Sequence, residues 1–193
     1  MKFENLNILL AGVGGQGIIK ASEVIAESLL SLGYDLKRSE IHGLSQRGGS
    51  VSSNLRAGKK VYSPTIMAGD VDYLISFEKL ETMRYAHMMK KNGTILMNNQ
   101  EIKPASCITG GEKYPTNIEE TLKKYGNLKS VNGYDMAVKL GNVKCLNICL
   151  VGAFSKLVDI PEDVFIEGIK AKIKPKFVEL NIEAFKMGRE SIK

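Results

Sequence analysis

The stretch LNILLAGVGGQG, residues 6–17, decides the fold of this chain. An apolar run at residues 6–11 stops at a cluster of glycines, as a buried parallel strand does where it enters a turn. Beyond the glycines, apolar side chains recur every three or four positions on one face of a helix that ends at Gly33: Ile18, Ala21, Ile25, Leu29 and Leu32. The stretch therefore predicts a strand, a glycine turn and a helix in direct succession.

The alternation of strands and helices continues along the chain. Further strands are predicted at residues 51–55, 73–77, 94–97 and 128–131. Helices are predicted at 78–91, from a Thr116-x-x-Glu119 capping box to near Gly126, and at about 135–140, 144–158, 162–173 and 176–189. This order predicts an α/β fold in a single domain, residues 1–193. A mostly parallel, Rossmann-like sheet flanked by helices occupies residues 1–133, and an all-helical C-terminal segment occupies 134–193.

Two further expectations concern packing. Residues 145–158 are apolar nearly all round, which predicts a buried helix, and Gly152-Ala153 within it allows a neighbouring backbone to come close. Cys107 is predicted to lie in a strand.

The composition excludes several classes of protein. Of the 193 residues, 44% are apolar and 25% are charged, as in globular domains and unlike disordered chains. No apolar run reaches the roughly 18 residues of a membrane span, and the first residues resemble no signal peptide. Three cysteines without C-x-x-C spacing argue against a disulfide framework, so we expect a cytoplasmic protein with reduced thiols. The net charge of +6 is spread evenly, which favours anions in general over a nucleic-acid-binding arm.

The first functional candidates lie in the pattern G-x-G-x-x-G between the predicted strand and helix: Gly12, Gly14, Gly15, Gln16 and Gly17. Glycines permit close approach, and the unpaired N–H groups and positive dipole end of the helix favour an anion. A nicotinamide site would also need an acidic residue roughly 20 positions later, for which Glu40 and Asp35 are available, but neither ends a clear apolar strand. Alternatively, the glycines serve only the turn and helix packing.

A second group of polar residues occupies residues 39–50, SEIHGLSQRGGS, which we interpret as a loop between two elements. Its candidate ligand-binding residues are His42, Gln46, Arg47, Gly48, Gly49 and Ser50. An arginine beside two glycines offers forked donors next to exposed backbone, which suits phosphate or carboxylate. The alternative is a solvated connector whose arginine pairs with a surface acid.

Together, the two glycine-rich segments resemble the gamma-type module of the 2-oxoacid:ferredoxin oxidoreductases. The form His-Gly-x-x-Gln-Arg-Gly-Gly is most similar to the small, beta-type subunit of the indolepyruvate-oxidising members. Supporting similarities occur at Leu140-Gly141-Asn142, Asn147, Leu150-Val151-Gly152-Ala153 and Asn181-x-x-Ala184-Phe185-x-x-Gly188. The resemblance runs from about residue 6 to residue 190.

The resemblance implies a subunit without a redox centre, in a complex that decarboxylates an aryl pyruvate, forms an acyl-coenzyme A and reduces ferredoxin. In such a hetero-oligomer a large partner subunit holds thiamine diphosphate, Mg²⁺ and iron–sulfur clusters, and coenzyme A is the co-substrate. The first glycine segment becomes an anion loop, and Arg47-Gly48-Gly49 a polar turn near the subunit interface. No catalytic residue or metal ligand is assigned to this chain, and no membrane or nucleic-acid partner is expected. We expect residues 142–154 and the 39–50 loop to form the docking surface.

Other functions stay open at this point. The chain could be the gamma subunit of a pyruvate or other 2-oxoacid:ferredoxin oxidoreductase. It could also be a free-standing NAD(P)-binding oxidoreductase or a nonenzymatic anion-binding module.

Two apparent cofactor motifs are unconvincing. Gly69-Asp70-Val71 followed by Asn98-Asn99 has the spacing of a thiamine diphosphate motif. However, the third position is Val instead of Gly, and Asp70 precedes its strand, whereas ligands in open α/β sheets lie beyond the carboxyl ends. Cys145 and Cys149 share a helix face, but their apolar neighbours favour packing over iron–sulfur ligation.

Overall fold

A computed structural model describes residues 3–43 and 48–193 of the chain. The strands in these residues form one sheet: β1 (Asn5–Val13), β2 (Asp35–His42), β3 (Ser50–Gly58), β4 (Val71–Ser76), β5 (Met89–Asn98) and β6 (Asn127–Val131). Their spatial order is β2-β3-β1-β4-β5-β6. Because β3 is antiparallel to both of its neighbours and the other pairs are parallel, β3 alone runs against the remaining strands. The predicted α/β fold with a mostly parallel sheet is therefore confirmed.

Helices cover both faces of the sheet. They are α1 (Ile18–Ser31), α2 (Lys79–Tyr85), α3 (Ala105–Ile108), α4 (Ile118–Leu122), α5 (Gly133–Lys139), α6 (Leu146–Leu157), α7 (Glu162–Lys172) and α8 (Val178–Glu190). The larger core joins the sheet to α1, α6, α7 and α8, and a smaller core joins the other face to α4 and the end of α2. Across residues 3–43 and 48–193, no helix is both long and apolar enough to cross a bilayer.

A chain of aromatic rings runs through the larger core. Ring centroids lie 5.3 Å apart for Tyr73 and Phe154, 6.2 Å for Phe154 and Phe165, and 5.8 Å for Phe165 and Phe185. The three phenylalanine side chains are fully buried, which stabilises the fold by about 1.5–3 kcal/mol each. These rings join the sheet to the C-terminal helices.

The backbones of α6 and α8 touch where they cross. A Cβ atom built on Gly152 would lie 1.9 Å from the carbonyl oxygen of Phe185, and one on Gly188 would lie 1.8 Å from that of Cys149. The buried α6 helix and its close glycine contact are as predicted.

Residues 39–42 and Ser50 lie in strands and not in the predicted 39–50 loop. Strand β2 extends to His42 and pairs with β3 from Asp35 opposite Gly58 to His42 opposite Val51. This strand escapes detection because it lies at the sheet edge, where polar side chains are favoured and no apolar run forms.

Three local predictions are also wrong. The helix assigned to 78–91 stops early, because Met89 turns inward to open β5 opposite Val71. The Thr116-x-x-Glu119 capping box does not form, since Asn117 occupies the N-cap position of α4. Cys107 lies in the short helix α3, which begins directly after a proline, and not in a strand.

Candidate functional site

The first glycine segment forms the turn between β1 and α1, and we call residues 12–17 the glycine turn. Gly15 has φ 106° and Gly17 has φ 80°, so both lie in the left-handed region that suits glycine. Gly17 is the N-cap residue of α1, and the first helical hydrogen bond runs from Ala21 N to Gly17 O at 3.0 Å. Gly17 has no capping side chain and the first turn of α1 has no acidic residue. The helix's own N-terminal residues therefore leave its positive dipole end unneutralised.

The side chain of Gln16 holds the turn in place. Its Oε1 accepts a hydrogen bond from Val13 N at 2.8 Å, and its Nε2 donates to Phe77 O at 2.9 Å and to Gln100 Oε1 at 3.1 Å. A Cβ on Gly12 would lie 2.8 Å from Gln16 Oε1 and from the Phe77 Cβ, so this folded-back glutamine requires glycine there. Both amide hydrogens of Gln16 are used within the chain, which makes it a positioning residue for the turn.

The second glycine segment lies against the first. Gly14 N donates to Gly49 O at 2.8 Å, and Gly48 N donates to Gly14 O at 3.4 Å. Ser50 follows directly and pairs with Val13 at the end of the β1–β3 ladder. Two stretches more than thirty positions apart therefore form one backbone-lined surface.

Gln46 and Arg47 lie outside the residues that the structure describes. Their contribution to a ligand site stays a prediction.

One cleft, which we call the hairpin cleft, lies between the glycine turn, α1 and the β2–β3 hairpin. It has a volume of about 570 Å³ and is lined by Gly14, Gly15, Gly17, Ile18, Ile19, Glu40, His42 and Val51. The Glu40 carboxylate forms an ion pair with Arg38 at 3.2 Å, and Arg38 also donates to Ser22 Oγ on α1 at 3.3 Å. The cleft thus combines glycine backbone, apolar walls, a paired acid and an exposed imidazole.

A second cleft, the α5 cleft, opens on the other side of the glycine turn. It has a volume of about 360 Å³ and is lined by Gly15, Gln16, Gly17, Gln100, Tyr134, Val143, Lys144 and Leu146. It lies near the carboxyl ends of β1 and β4, where the strand order reverses direction and ligands of open α/β sheets bind. Both clefts share Gly15 and Gly17, so a group seated on the glycine turn can extend to either side.

A buried asparagine supports the turn, although the family resemblance that singled it out implied no such role. Asn147, near the start of α6, donates from Nδ2 to Gly17 O at 3.2 Å. A Cβ on Gly17 would lie only 2.7 Å from that Nδ2 atom. The contact spans 130 residues of sequence, so only the packing of α6 against α1 brings it about.

A cleft larger than these two lies away from the glycine turn. It measures about 1000 Å³, lies between the start of α2 and residues 101–123, and has four lysines and four glutamates among its lining residues. None of its lining residues belongs to the glycine turn. Because its acidic and basic side chains are equal in number, this cleft has no excess of positive charge to attract an anion. We therefore place the candidate site at the two smaller clefts, which adjoin the glycine turn.

The predicted docking surface is largely wrong for residues 142–154. Residues 145–154 are buried within this chain, because α6 packs between the sheet and α8. Val143 and Tyr134 do lie at the surface, and both line the α5 cleft beside the glycine turn. Exposed apolar side chains near the turn thus come from the start of α5 and the segment before α6.

The apparent thiamine motif is not assembled. Asp70 is exposed and precedes β4, whereas Asn98 is buried at the carboxyl end of β5. Asn98 Oδ1 accepts a hydrogen bond from Gly133 N at 2.8 Å and its Nδ2 donates to Phe77 O at 3.0 Å, so it supports the fold. Within residues 3–43 and 48–193, no group of three or more His, Cys, Asp or Glu could hold a metal ion.

The cysteines at the start of α6 and within it serve packing. Cys145 and Cys149 are both buried, and burial raises the pKa of the Cys149 thiol to about 12. Such a thiol stays protonated at neutral pH, which disfavours metal ligation.

Neither acidic candidate for a nicotinamide ribose is well placed. Asp35 begins β2, about 20 Å along the strand from its other end beside the glycine turn. A hydrogen bond from Val61 N and another from the Lys37 ammonium lower the pKa of Asp35, so its carboxylate already has partners. Glu40 lines the hairpin cleft but is paired with Arg38.

Comparison with known proteins decides the family. The sequence model of the family described as pyruvate ferredoxin/flavodoxin oxidoreductase matches residues 7–191. The chain belongs to this family.

Curated relatives within the family match over nearly the whole chain. The indolepyruvate oxidoreductase subunit IorB of Archaeoglobus fulgidus is 37% identical, over 95% of this chain and 93% of its own length. That of Thermococcus kodakarensis is 34% identical, over 97% of this chain and 96% of its own length. The predicted identity, a gamma-type subunit of a 2-oxoacid:ferredoxin oxidoreductase, is confirmed, and a free-standing NAD(P)-binding enzyme is not favoured.

Solved structures share the fold. The gamma subunit of a keto/oxoacid ferredoxin oxidoreductase from Geobacter sulfurreducens has a TM-score of 0.70 at 24% identity, covering 96% of this chain and 97% of that one. A 2-oxoglutarate:ferredoxin oxidoreductase from Magnetococcus marinus, with 2-oxoglutarate, coenzyme A and succinyl-CoA bound, has a TM-score of 0.77 at 21% identity. This chain is covered to 98% there but spans only 31% of that longer chain, so the fold occurs both as a separate subunit and within a larger polypeptide.

Proposed function

We propose that this chain is the small subunit of an indolepyruvate:ferredoxin oxidoreductase and binds a phosphate-bearing group of coenzyme A at the glycine turn. A large partner subunit supplies thiamine diphosphate, Mg²⁺ and the iron–sulfur clusters. The complex converts an aryl pyruvate and coenzyme A into an aryl-acetyl-CoA and CO₂, and passes two electrons to ferredoxin.

The observation that carries this proposal is the glycine turn at the N-terminus of α1. Its N-cap glycine carries no side chain, and the turn is shared by two clefts. Backbone N–H groups and the dipole of a 14-residue helix favour a phosphate there. The apolar side chains of Ile18, Ile19 and Val51 in the hairpin cleft suit a less polar part of the same molecule.

The residues present fit coenzyme A but not the other cofactors of such complexes. Asp70 and Asn98 lie near opposite ends of their strands, and Cys145 and Cys149 are buried in helix packing. We therefore assign thiamine diphosphate, Mg²⁺ and the clusters to the partner, which carries the reacting atoms.

This chain's own residues bind and orient. The glycine turn holds the phosphate, Gln16 and Asn147 fix the turn, and the backbone of Gly48 and Gly49 closes against it. Tyr134 and Val143 are the exposed apolar side chains that we assign to contact with the partner.

The substrate assignment rests on the named relatives, which are indolepyruvate oxidoreductase subunits at 33–37% identity. Lower similarity, 25% identity, extends to the common gamma subunit of pyruvate/ketoisovalerate oxidoreductases of Thermococcus litoralis. Aryl pyruvates are accordingly the first substrates to test, with pyruvate and branched 2-oxoacids as comparisons.

The test compares the large subunit alone with the reconstituted complex. We expect the small chain to be inactive by itself and to be required for viologen or ferredoxin reduction by indolepyruvate and coenzyme A. Full activity of the large subunit without this chain would contradict the proposal. A preference for pyruvate over aryl pyruvates in the complex would contradict the substrate assignment alone.

A further inference from the structure

A buried carboxylate lies next to the site although nothing in the sequence marks it. The Glu81 side chain on α2 is only 6% exposed. Its Oε2 accepts a hydrogen bond from Ser50 Oγ at 2.5 Å, and its Oε1 accepts one from Arg84 Nε at 3.2 Å. Burying a carboxylate is unfavourable unless such partners compensate it. Glu81 therefore occupies an inward position where an apolar residue would cost less.

Ser50, the hydrogen-bond partner of Glu81, lies where the second glycine segment meets β3. Ser50 is the first residue of β3, pairs with Val13 at the end of β1, and directly follows Gly48 and Gly49. Those two glycines make the backbone hydrogen bonds to Gly14 described above. Among residues 3–43 and 48–193, no atom would lie within 4 Å of a Cβ on Gly48, so side chains of the described residues do not hold this bend by packing at that position.

Capping of α2 does not explain why the Glu81 carboxylate is buried. The N-cap of that helix is Glu78, whose Oε2 accepts from Glu81 N at 2.9 Å. The other oxygen of Glu78 accepts from Ile102 N and from the Tyr114 hydroxyl, which closes the segment after β5. Glu78 thus serves its own helix and a neighbouring loop, whereas the Glu81 side chain reaches the candidate site.

The charge of Glu81 is balanced on its own helix. Arg84 follows three positions later, forms the ion pair at 3.2 Å, and is 55% exposed. The partly exposed guanidinium of Arg84 neutralises the buried carboxylate through Oε1, and Oε2 accepts the hydrogen bond from Ser50. The arrangement fixes a serine hydroxyl without leaving a net negative charge beside an anion site.

We propose that Glu81 is a positioning residue that, through Ser50, holds the Gly48–Gly49 bend against the glycine turn and so sets the geometry of the phosphate site. Glu81 lines neither the hairpin cleft nor the α5 cleft, so it acts through the serine and not on the ligand. The effect on coenzyme A rests on the proposed function, but the effect on the backbone does not.

Two variants of the reconstituted complex test the link, Glu81→Gln and Ser50→Ala. Loss of one charge-assisted hydrogen bond should speed hydrogen exchange in the peptide that contains Gly14 by about tenfold in each. The KM for coenzyme A should rise about fivefold to tenfold, with kcat changed by less than about twofold. The double variant should show less than the sum of the two single effects, because both variants weaken the same hydrogen bond between Ser50 and Glu81. Ser50→Thr, which keeps the hydroxyl, should restore wild-type exchange.

A matched control comes from another Glu on a helix with a cation three positions later. Glu167 is paired with Lys170 at 2.7 Å but is 67% exposed, so Glu167→Gln should leave both readouts unchanged. Unchanged exchange at Gly14 in Glu81→Gln, or additive effects in the double variant, would overturn the proposal. Faster exchange with an unaltered KM for coenzyme A would uphold the role of Glu81 and contradict the phosphate site.

Discussion

Gly15 of the glycine turn and the two glycines of the α6–α8 crossing are required for opposite reasons. At the crossing, Cβ atoms on Gly152 and Gly188 would overlap backbone atoms of the partner helix at 1.9 and 1.8 Å. At the turn, a Cβ on Gly15 would meet nothing within 4 Å, although φ there is 106°. Gly152 and Gly188 are needed because there is no room for a side chain between the two helices. Gly15 is needed because of its positive φ angle, while the space in front of it is open. We therefore expect substitutions at the crossing to lower the stability of the fold, and substitutions at Gly15 to change ligand binding.

The largest effect is expected for Gly188→Ala. The added methyl group cannot avoid the backbone carbonyl of Cys149, so α6 and α8 must move apart and disturb the aromatic core. We expect a loss of about 4 kcal/mol or more in the free energy of unfolding, measured by denaturant titration. Gly111→Ala, where the nearest contact would be an ordinary 3.5 Å, is the control. A loss below about 1 kcal/mol for Gly188→Ala would break the distinction between the two regions.

Gly17→Ala should have an intermediate effect, since this residue combines both features. Left-handed alanine costs about 1–2 kcal/mol, and the new methyl group would push the Asn147 amide away from Gly17 O. We expect about 2 kcal/mol lower stability by thermal and denaturant unfolding. In an Asn147→Ala background the added cost should shrink to the backbone strain alone. An equal cost in both backgrounds would show that the contact with Asn147 is unimportant.

The buried thiol at the crossing predicts a smaller, pH-dependent effect. Burial raises the pKa of Cys149 from 9.0 to about 12, so the unfolded chain loses this proton at lower pH than the folded chain. Stability is therefore retained below pH 9 and falls as the pH rises toward 12, by about 1 kcal/mol between pH 8 and pH 10. Cys149→Ala should lack this part of the decline, although its stability is lower at neutral pH. Parallel pH profiles for the two proteins would contradict the prediction.

The order of elements could be predicted because local patterns decide it. The apolar run at residues 6–11, the helical spacing that follows it and the apolar α6 each appear as predicted. Strand β2 could not be predicted, because an edge strand with polar side chains depends on its pairing with β3. The end of α2 was misplaced because Met89 is drawn into the smaller core by tertiary contacts.

The site could be predicted only in part. The glycine pattern located the turn, because positive φ angles and close backbone approach demand glycine itself. Three residues that hold the turn are distant from it in sequence: Gln100, Asn147 and Glu81. Gln100 and Glu81 belong to no motif, and the family resemblance singled out Asn147 without implying its role. Their role depends on which elements the fold brings together, and a single sequence does not contain that information.

The central claim is that the glycine turn receives a negatively charged group of coenzyme A, and Gly15 allows the most direct test. Gly15→Ala and Gly15→Asp both place a side chain at a left-handed position, at a cost of up to about 1–2 kcal/mol in backbone strain, but only the aspartate places a carboxylate where the phosphate should bind. The measurement is the KM for coenzyme A of the two reconstituted complexes. We expect a value within about threefold of wild type for Gly15→Ala and an increase of at least tenfold for Gly15→Asp, about 1.4 kcal/mol. Equal KM values for the two variants would contradict the account.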